Sequence, residues 1–186
     1  MKKYIFPAFI IVCVIQLLVP AKMIWDREDI MRSGKEFKFI AAPLDPNDPF
    51  RGKYLDVDFE PREFIVEKAA DWYWGQTIYI KPGETPGGFY FIEEVFAEEP
   101  DISDYFKAEV GYVTDNPDKQ AIFINYPFNR FYMEESKALP AENIFRDARR
   151  DTTKSAYALI SVKNGEAVFK DLVIDGTSIK DLAKGN

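Results

Sequence analysis

The chain of 186 residues contains no histidine and a single cysteine, Cys13. The absence of histidine excludes Ser-His-Asp triads, histidine-ligated metal sites and histidine proton shuttles. Because Cys13 lies in an apolar N-terminal segment, the remainder of the chain has no thiol for a disulfide, a zinc cluster or a catalytic cysteine. Lys and Arg number 24 against 31 Asp and Glu, and the net charge of −7 argues against a nucleic-acid-binding surface. We therefore predict no nucleic-acid partner, no metal site and no cofactor.

The N-terminal segment is long and apolar enough to cross a membrane. Lys2 and Lys3 precede 18 uncharged residues from Tyr4 to Ala21. At about 1.5 Å per residue, a helix of this length spans about 27 Å, close to the thickness of a bilayer core. Trp25 follows at a position that suits an interfacial aromatic side chain. Residues 4–21 are therefore predicted to contact membrane lipid, and the helical pattern continues to a stop at Gly34.

Two other interpretations of this segment stay open. A signal peptide cleaved near Ala21 would have the same basic start and apolar stretch, and would leave a secreted domain. The third interpretation is a buried helix of a soluble protein. A short basic head before an apolar run is the usual export signal, so we place the domain on the extracytoplasmic side. The positive-inside rule does not favour that orientation, because two lysines precede the run and five basic residues follow it up to Lys38.

Beyond residue 34 the sequence has the pattern of antiparallel β-structure. Strand signals recur at short spacing between clusters of Gly, Pro, Asn and Asp, and the aromatic content of 16% also favours strands. Asn164-Gly165 between two alternating runs predicts a tight hairpin. One helix is predicted from Pro140 to Arg150. The strands are expected within residues 37–40, 54–60, 77–81, 88–96, 106–113, 121–126, 156–162 and 167–174.

These patterns predict two parts of the chain. Residues 1–34 are expected to form a transmembrane anchor with a juxtamembrane helix. Residues 35–186 are expected to form one mainly β domain, antiparallel and of the β-rich α+β type, with one accessory helix.

Residues 52–59 read Gly-Lys-Tyr-Leu-Asp-Val-Asp-Phe and follow a proline-rich loop. Placed after an N-terminal membrane helix, this segment resembles the GDYXXLXY family, whose signature is Gly-Asp-Tyr-x-x-Leu-x-Tyr. Gly52 and Tyr54 match the signature. Three positions depart from it: Lys53, Val57 and Phe59. The resemblance continues at residues 129–135, at residues 141–142 and through the predicted hairpin.

The resemblance implies a bacterial protein with an anchor in the inner membrane, an extracytoplasmic β-rich domain and no established biochemical activity. It also implies a multi-spanning membrane protein as partner, because members of the family often accompany such proteins. Lys53 replaces the acidic residue of the signature, so no role of that residue is carried over to this chain.

The segment at residues 129–135 supplies most of a candidate ligand-binding site. Carboxylates next to an arginine can perform acid–base chemistry, and arginine recognises anionic groups such as carboxylate and phosphate. The competing interpretation, which we favour, is an internal salt-bridge network that ties the accessory helix to the sheet. The candidate residues are Arg51, Tyr54, Arg130, Tyr132, Glu134, Glu135 and Glu142.

Two further segments have a functional and a structural interpretation. Asp45 and Asp48 could supply oxygen ligands to Ca²⁺, but no spaced set of further ligands follows, and we predict a structural turn. Residues 72–74 read Trp-Tyr-Trp and could stack on sugar rings or enter a membrane interface. Neighbouring residues of a strand point to opposite faces, so we predict that one or two of them pack in the core.

The sequence thus predicts a non-enzymatic interaction or assembly protein of the bacterial envelope that works with another membrane protein. The alternative hypothesis is an envelope hydrolase or an anionic-ligand-binding module that uses the candidate residues.

Overall fold

The computed structural model describes residues 5–43, 54–116, 119–151 and 154–184. The helices of these ranges are α1 (Ile5–Ser33), α2 (Glu135–Arg150) and α3 (Ile179–Leu182), and a 3-10 turn spans Ala69–Asp71. The strands are β1 (Lys35–Pro43), β2 (Tyr54–Glu60), β3 (Glu63–Ile65), β4 (Thr77–Glu84), β5 (Tyr90–Phe96), β6 (Phe106–Asn116), β7 (Lys119–Asn125), β8 (Arg130–Tyr132), β9 (Ala156–Lys163), β10 (Glu166–Ile174) and β11 (Thr177–Ser178).

The strands form two antiparallel sheets. The first sheet has the order β11-β10-β9-β1-β2-β8, and the second has the order β3-β7-β6-β4-β5. Single parallel bridges, Lys38 to Phe89 and Phe106 to Gly165, connect strands and turns of the two sheets. The prediction of an antiparallel, β-rich fold with an N-terminal apolar helix is confirmed. The short helix α3 was not predicted.

Aromatic side chains fill the core between the two sheets. In β2, Leu55, Val57 and Phe59 are buried and alternate with more exposed residues, as the sequence pattern predicts. Phe39 of β1 is fully buried and its ring stacks on Tyr90 with 3.8 Å between centroids. The ring of Phe39 also lies within 6.2 Å of four other aromatic rings, those of Phe59, Phe106, Tyr126 and Phe128.

The first sheet is strongly curled. Strands β8 and β10 are separated by three other strands in the sheet order, yet the rings of Phe131 in β8 and Phe169 in β10 have centroids 4.9 Å apart. Helix α2 contacts β2, β9 and α3, and its Ala141 and Phe145 are buried in the core. The curled sheet and the two C-terminal helices therefore share one hydrophobic core.

Helix α2 begins earlier than the sequence pattern predicted. We expected Pro140 at the first helical position, but the helix starts at Glu135 and Pro140 lies inside it. Proline inside a helix removes one backbone hydrogen bond. The buried Ala138 extends the apolar face of α2 one turn upstream, and packing of that face overrides the local cost.

The β9–β10 hairpin has the turn that Asn-Gly predicts. Asn164 and Gly165 both have positive φ, +49° and +82°, as a type I′ turn requires. A Cβ added to Gly165 would lie 2.9 Å from the Tyr105 ring. This position therefore needs glycine for its backbone conformation and for the close approach of the ring.

We expect Gly165→Ala to reduce the free energy of unfolding by about 2–3 kcal/mol, from left-handed backbone strain and the ring contact together. Gly176→Ala is the matched control. Gly176 has a φ of +78° and no atom within 4 Å of an added Cβ, so only the strain of about 1 kcal/mol remains. Urea unfolding of the two variants measures both values. Equal losses would contradict the predicted steric contribution of Tyr105.

Helix α1 is continuous through Pro20 and ends at Ser33, as the predicted stop at Gly34 requires. Its last third packs on the β9–β10 hairpin, where Ile30 is buried. A Cβ on Gly34 would lie 3.0 Å from the carbonyl oxygen of Val162, so the chain passes tightly over β9. Ser161 of β9 is fully buried beneath this crossing.

Two tyrosines are buried at the core with their hydroxyl groups 3.2 Å apart, Tyr90 in β5 and Tyr126 after β7. Tyr126 also donates a hydrogen bond to the carbonyl oxygen of Pro61. Burial raises the pKa of both phenols above the usual value of 10.0.

The tyrosine pair predicts loss of stability at alkaline pH. Above about pH 10 the unfolded chain releases the phenolic protons and the folded chain keeps them, so the unfolding free energy falls by up to about 1.4 kcal/mol per pH unit for each tyrosine. Below that pH the contribution is fully present. We expect Tyr90→Phe to flatten the decline in urea-unfolding free energy between about pH 10 and 12. The exposed Tyr112→Phe serves as control, and equal flattening in both variants would contradict the effect of burial.

Candidate functional site

Three of the predicted site residues meet on strands β2 and β8. Tyr54 pairs with Tyr132 across the two strands, and their ring centroids are 5.7 Å apart. The guanidinium carbon of Arg130 lies 5.0 Å from the centroid of the Tyr54 ring, in a cation–π contact. Asp56, the cross-strand partner of Arg130, places a carboxylate oxygen 3.9 Å from its Nε. We call Tyr54, Asp56, Arg130 and Tyr132 the β2–β8 cluster.

The alternation of β2 explains why this cluster is on the outside of the sheet. Leu55 and its partner Phe131 point into the core, so their neighbours along each strand point outward. The signature segment is therefore divided between two roles. Val57 and Phe59, which replace Leu and Tyr of the signature, are core residues, whereas Tyr54 is part of the exterior cluster.

Glu134 belongs to a different set of charges. It precedes α2 and forms an ion pair with Lys137 at 2.7 Å. The hydrogen bond from Lys137 and the charge of the same residue hold the pKa of Glu134 below its usual value, and Lys184 contributes further. Lys184 is itself paired with Asp181 of α3 at 2.8 Å. The charge of Lys184 therefore acts from the end of α3 on the start of α2. The predicted salt-bridge network between the accessory helix and the sheet stays a prediction.

Glu135 and Glu142 both lie on α2 but two turns apart. Glu135 is the first residue of the helix, and Glu142 is half-buried. Seven helical residues correspond to a rise of about 10 Å, so their backbones are well separated. Their positions on α2 therefore do not bring these two carboxylates together as a catalytic pair.

Arg51 lies outside the described residues, as do Gly52, Lys53, Asp45 and Asp48. The participation of Arg51 in a pocket and the structural turn proposed for the aspartates therefore stay predictions. Of the Trp-Tyr-Trp segment, Trp72 packs against the core, whereas Tyr73 and Trp74 are exposed. This matches the expectation that one or two of the three would be buried.

The sequence missed the ionic partners of the candidate residues. Asp56 is two residues from Tyr54 and shares its face of β2, a period-2 signal that was available. Lys137 is three residues from Glu134, the spacing of an ion pair within one helical turn. Asp181 and Lys184 gave no signal, because their approach to α2 depends on the tertiary fold.

Two surface grooves of the described residues lie away from the predicted site. One groove beside α1 is lined by Glu28, Met31, Arg32, Leu159, Lys170, Asp171 and Lys180. Another is lined by Ile40, Glu60, Pro61, Arg62 and Glu63. Neither includes a predicted site residue. Within the described ranges no group of three or more Cys, Asp or Glu side chains is arranged to hold a metal ion.

A family model described as GDYXXLXY protein matches residues 16–172, which is most of the chain. The chain belongs to the GDYXXLXY family. The resemblance first inferred from residues 52–59 is thereby confirmed, and the GDYXXLXY match begins within α1 and extends into β10. No curated protein and no solved structure matches the chain.

One helix of the described residues, Phe6–Ser33, is long and apolar enough to cross a membrane, and no residue of its most apolar window is buried. GDYXXLXY membership together with this helix is consistent with a membrane-anchored protein. A signal sequence at the N-terminus has the same length and composition.

Proposed function

We propose that this GDYXXLXY protein is a membrane-anchored envelope protein that acts as a non-enzymatic interaction or assembly partner of another membrane protein. Residues 4–21 hold it in the bacterial inner membrane, and residues 35–186 form its domain on the extracytoplasmic side. The partner is a multi-spanning membrane protein.

The observation that carries this proposal is the β2–β8 cluster. Tyr and Arg are among the residue types enriched at protein interfaces, and they contribute disproportionately to binding energy. Tyr132 is 65% exposed, and the side chain of Arg130 is 46% exposed. Two of its residues, Arg130 and Tyr132, lie on β8, a three-residue strand at the edge of the first sheet.

The charges near α2 support a non-catalytic role. A general acid needs a carboxyl group whose pKa is raised toward neutral pH. The pKa of Glu134 is instead lowered by Lys137, so this carboxylate stays ionised. The ion pair with Lys137 stabilises the start of α2. The ionised carboxylate of Glu134 has no proton to donate.

Site-specific photocrosslinking tests the partner hypothesis. A photoreactive phenylalanine analogue in place of Tyr132 should yield a crosslink to one membrane protein in the native cells. The matched control position is Tyr112, which is 61% exposed on the second sheet. Adding Arg130→Ala should weaken the crosslink from position 132. Equal crosslinking from both positions, or none from position 132, would contradict the proposal.

A label-access experiment tests the side of the membrane. Asp115 is exposed at the end of β6, so Asp115→Cys in a Cys13→Ala background gives one reactive thiol outside α1. We expect a membrane-impermeant maleimide to label this thiol in intact cells as fully as in lysed cells. Labelling only after lysis would place the domain in the cytoplasm.

The second candidate function is an anionic-ligand-binding module, or a hydrolase of an anionic substrate, at the same cluster. Arg130 favours it, because its side chain is half-exposed and its contact with Asp56 is long at 3.9 Å. Such an arginine can accept a carboxylate or phosphate in bidentate geometry. Titration with inorganic phosphate and with acetate, followed by NMR, tests this function. Saturable chemical-shift changes that are lost in Arg130→Gln would favour the ligand-binding function over the interaction or assembly function.

A further inference from the structure

The docked end of α1 lies next to the apolar segment that is proposed to span the membrane. Met23, Ile24 and Trp25 are largely exposed, and Arg27 is the first residue of α1 with a contact to the sheet among the described contacts. Two helical residues correspond to a rise of about 3 Å. Along the helix axis, the distance from the last exposed apolar residue to the first docked residue is therefore shorter than the thickness of a bilayer headgroup layer. That layer is about 5–7 Å thick on each side.

The part of the sheet that α1 reaches first is the beginning of β10. Arg27 donates a hydrogen bond to the carbonyl oxygen of Ala167 at 3.3 Å, and its guanidinium lies 3.7 Å from a carboxylate oxygen of Glu166. Two residues further along α1, Asp29 forms an ion pair of 2.6 Å with Lys163. These contacts hold both sides of the Asn164-Gly165 turn against the helix.

The turn is also fixed to the second sheet. The amide of Lys107 donates to the carbonyl oxygen of Gly165 at 3.0 Å, and the amide of Gly165 donates to the carbonyl oxygen of Tyr105 at 3.2 Å. Because α1 is one continuous helix from Ile5 to Ser33, its position in a bilayer determines the position of the turn and of both sheets.

We propose that the β9–β10 turn, residues 163–166, lies in the phospholipid headgroup layer and that the docked helix α1 places it there. The domain then rests on the membrane surface in one orientation and does not move on a flexible tether. Charges of both signs surround the turn, Arg27 and Lys163 against Asp29 and Glu166, which suits zwitterionic headgroups. This inference rests on the proposed anchoring by residues 4–21.

Fluorescence quenching in liposomes tests the inference. The full chain, with Cys13→Ala and Glu166→Cys, is labelled with a small fluorophore and reconstituted with phosphatidylcholine that carries a nitroxide on its headgroup. The control is Asp115→Cys, which is also exposed and lies nine strand residues, about 30 Å, beyond the start of β6 at Phe106. We expect at least about twofold stronger quenching at position 166 than at position 115.

A second variant tests whether α1 is the cause. Insertion of a flexible Gly-Ser linker between Trp25 and Asp26 keeps the apolar segment and the docked residues but separates them. Quenching at position 166 should then fall to the level of position 115. Equal quenching at the two positions without the linker, or undiminished quenching with it, would overturn the inference. Failure of the chain to float with the liposomes would overturn the anchoring instead, so the two failures are distinguishable.

Discussion

Phe39→Ala is expected to reduce the free energy of unfolding by about 3–5 kcal/mol, the range for deletion of a buried phenylalanine. The side chain of Phe39 is fully buried. Its ring contacts aromatic side chains from both sheets and from the segment after β7. Removal of the ring leaves a cavity between rigid aromatic neighbours that cannot collapse to fill it. Denaturant unfolding of the detergent-solubilised chain, followed by tryptophan fluorescence, measures the loss.

The neighbouring residue provides the control for this prediction. Ile40 is 44% exposed on the opposite face of β1, so Ile40→Ala should cost far less than Phe39→Ala. Similar losses for both variants would show that the inner face of β1 is not the shared core of the two sheets. A loss below about 1 kcal/mol for Phe39→Ala would lead to the same conclusion.

The long strands could be predicted because their burial follows the period of the backbone. In β2, the alternation of Leu55, Val57 and Phe59 with charged residues identifies both the strand and its inner face. Asn164-Gly165 likewise determines the β9–β10 turn by local backbone preference alone. These features need no knowledge of distant contacts.

The strands that the sequence did not reveal are the short ones at sheet edges. Strands β3, β8 and β11 have three, three and two residues, and each lies at the edge of its sheet. A segment of this length shows no period, and its pairing depends on a neighbour far away in the chain. Arg130 and Tyr132 were therefore identified as candidate residues without the strand that positions them.

The contacts of α1 with the hairpin were hidden for the same reason. Asp29 and Lys163 are 134 residues apart, and only the completed sheet brings them together. The sequence also suggested one pocket for all candidate residues. That single pocket stays a prediction: Tyr54 and Arg130 lie with Asp56, and Glu134 pairs with Lys137, while Arg51 lies outside the described residues.

Deletion of residues 2–21 should move the chain from the membrane fraction to the soluble fraction almost completely. The apolar side chains of α1 from Phe6 to Trp25 are largely exposed in the described structure, and the proposed anchoring places them in lipid. Each buried CH₂ group contributes about 0.8 kcal/mol to membrane partitioning, and the segment contains many such groups. Fractionation with a carbonate wash, followed by immunoblotting, measures the change.

A matched variant tests whether membrane retention depends on the apolar side chains of this segment and not only on its length. Ile11→Arg with Val14→Arg keeps the length of α1 but adds about 2.5–3.5 kcal/mol of insertion cost for each arginine near the helix centre. The deletion and the double arginine variant should both release the chain from the membrane, whereas Ile11→Leu with Val14→Leu should not. The mass of the membrane-bound chain then distinguishes an anchor from a signal peptide. A mature chain that begins near Lys22 and is soluble would show that the apolar segment is cleaved and is not a permanent anchor. The part of α1 that packs on the hairpin, from Arg27 onward, would still be present in that chain.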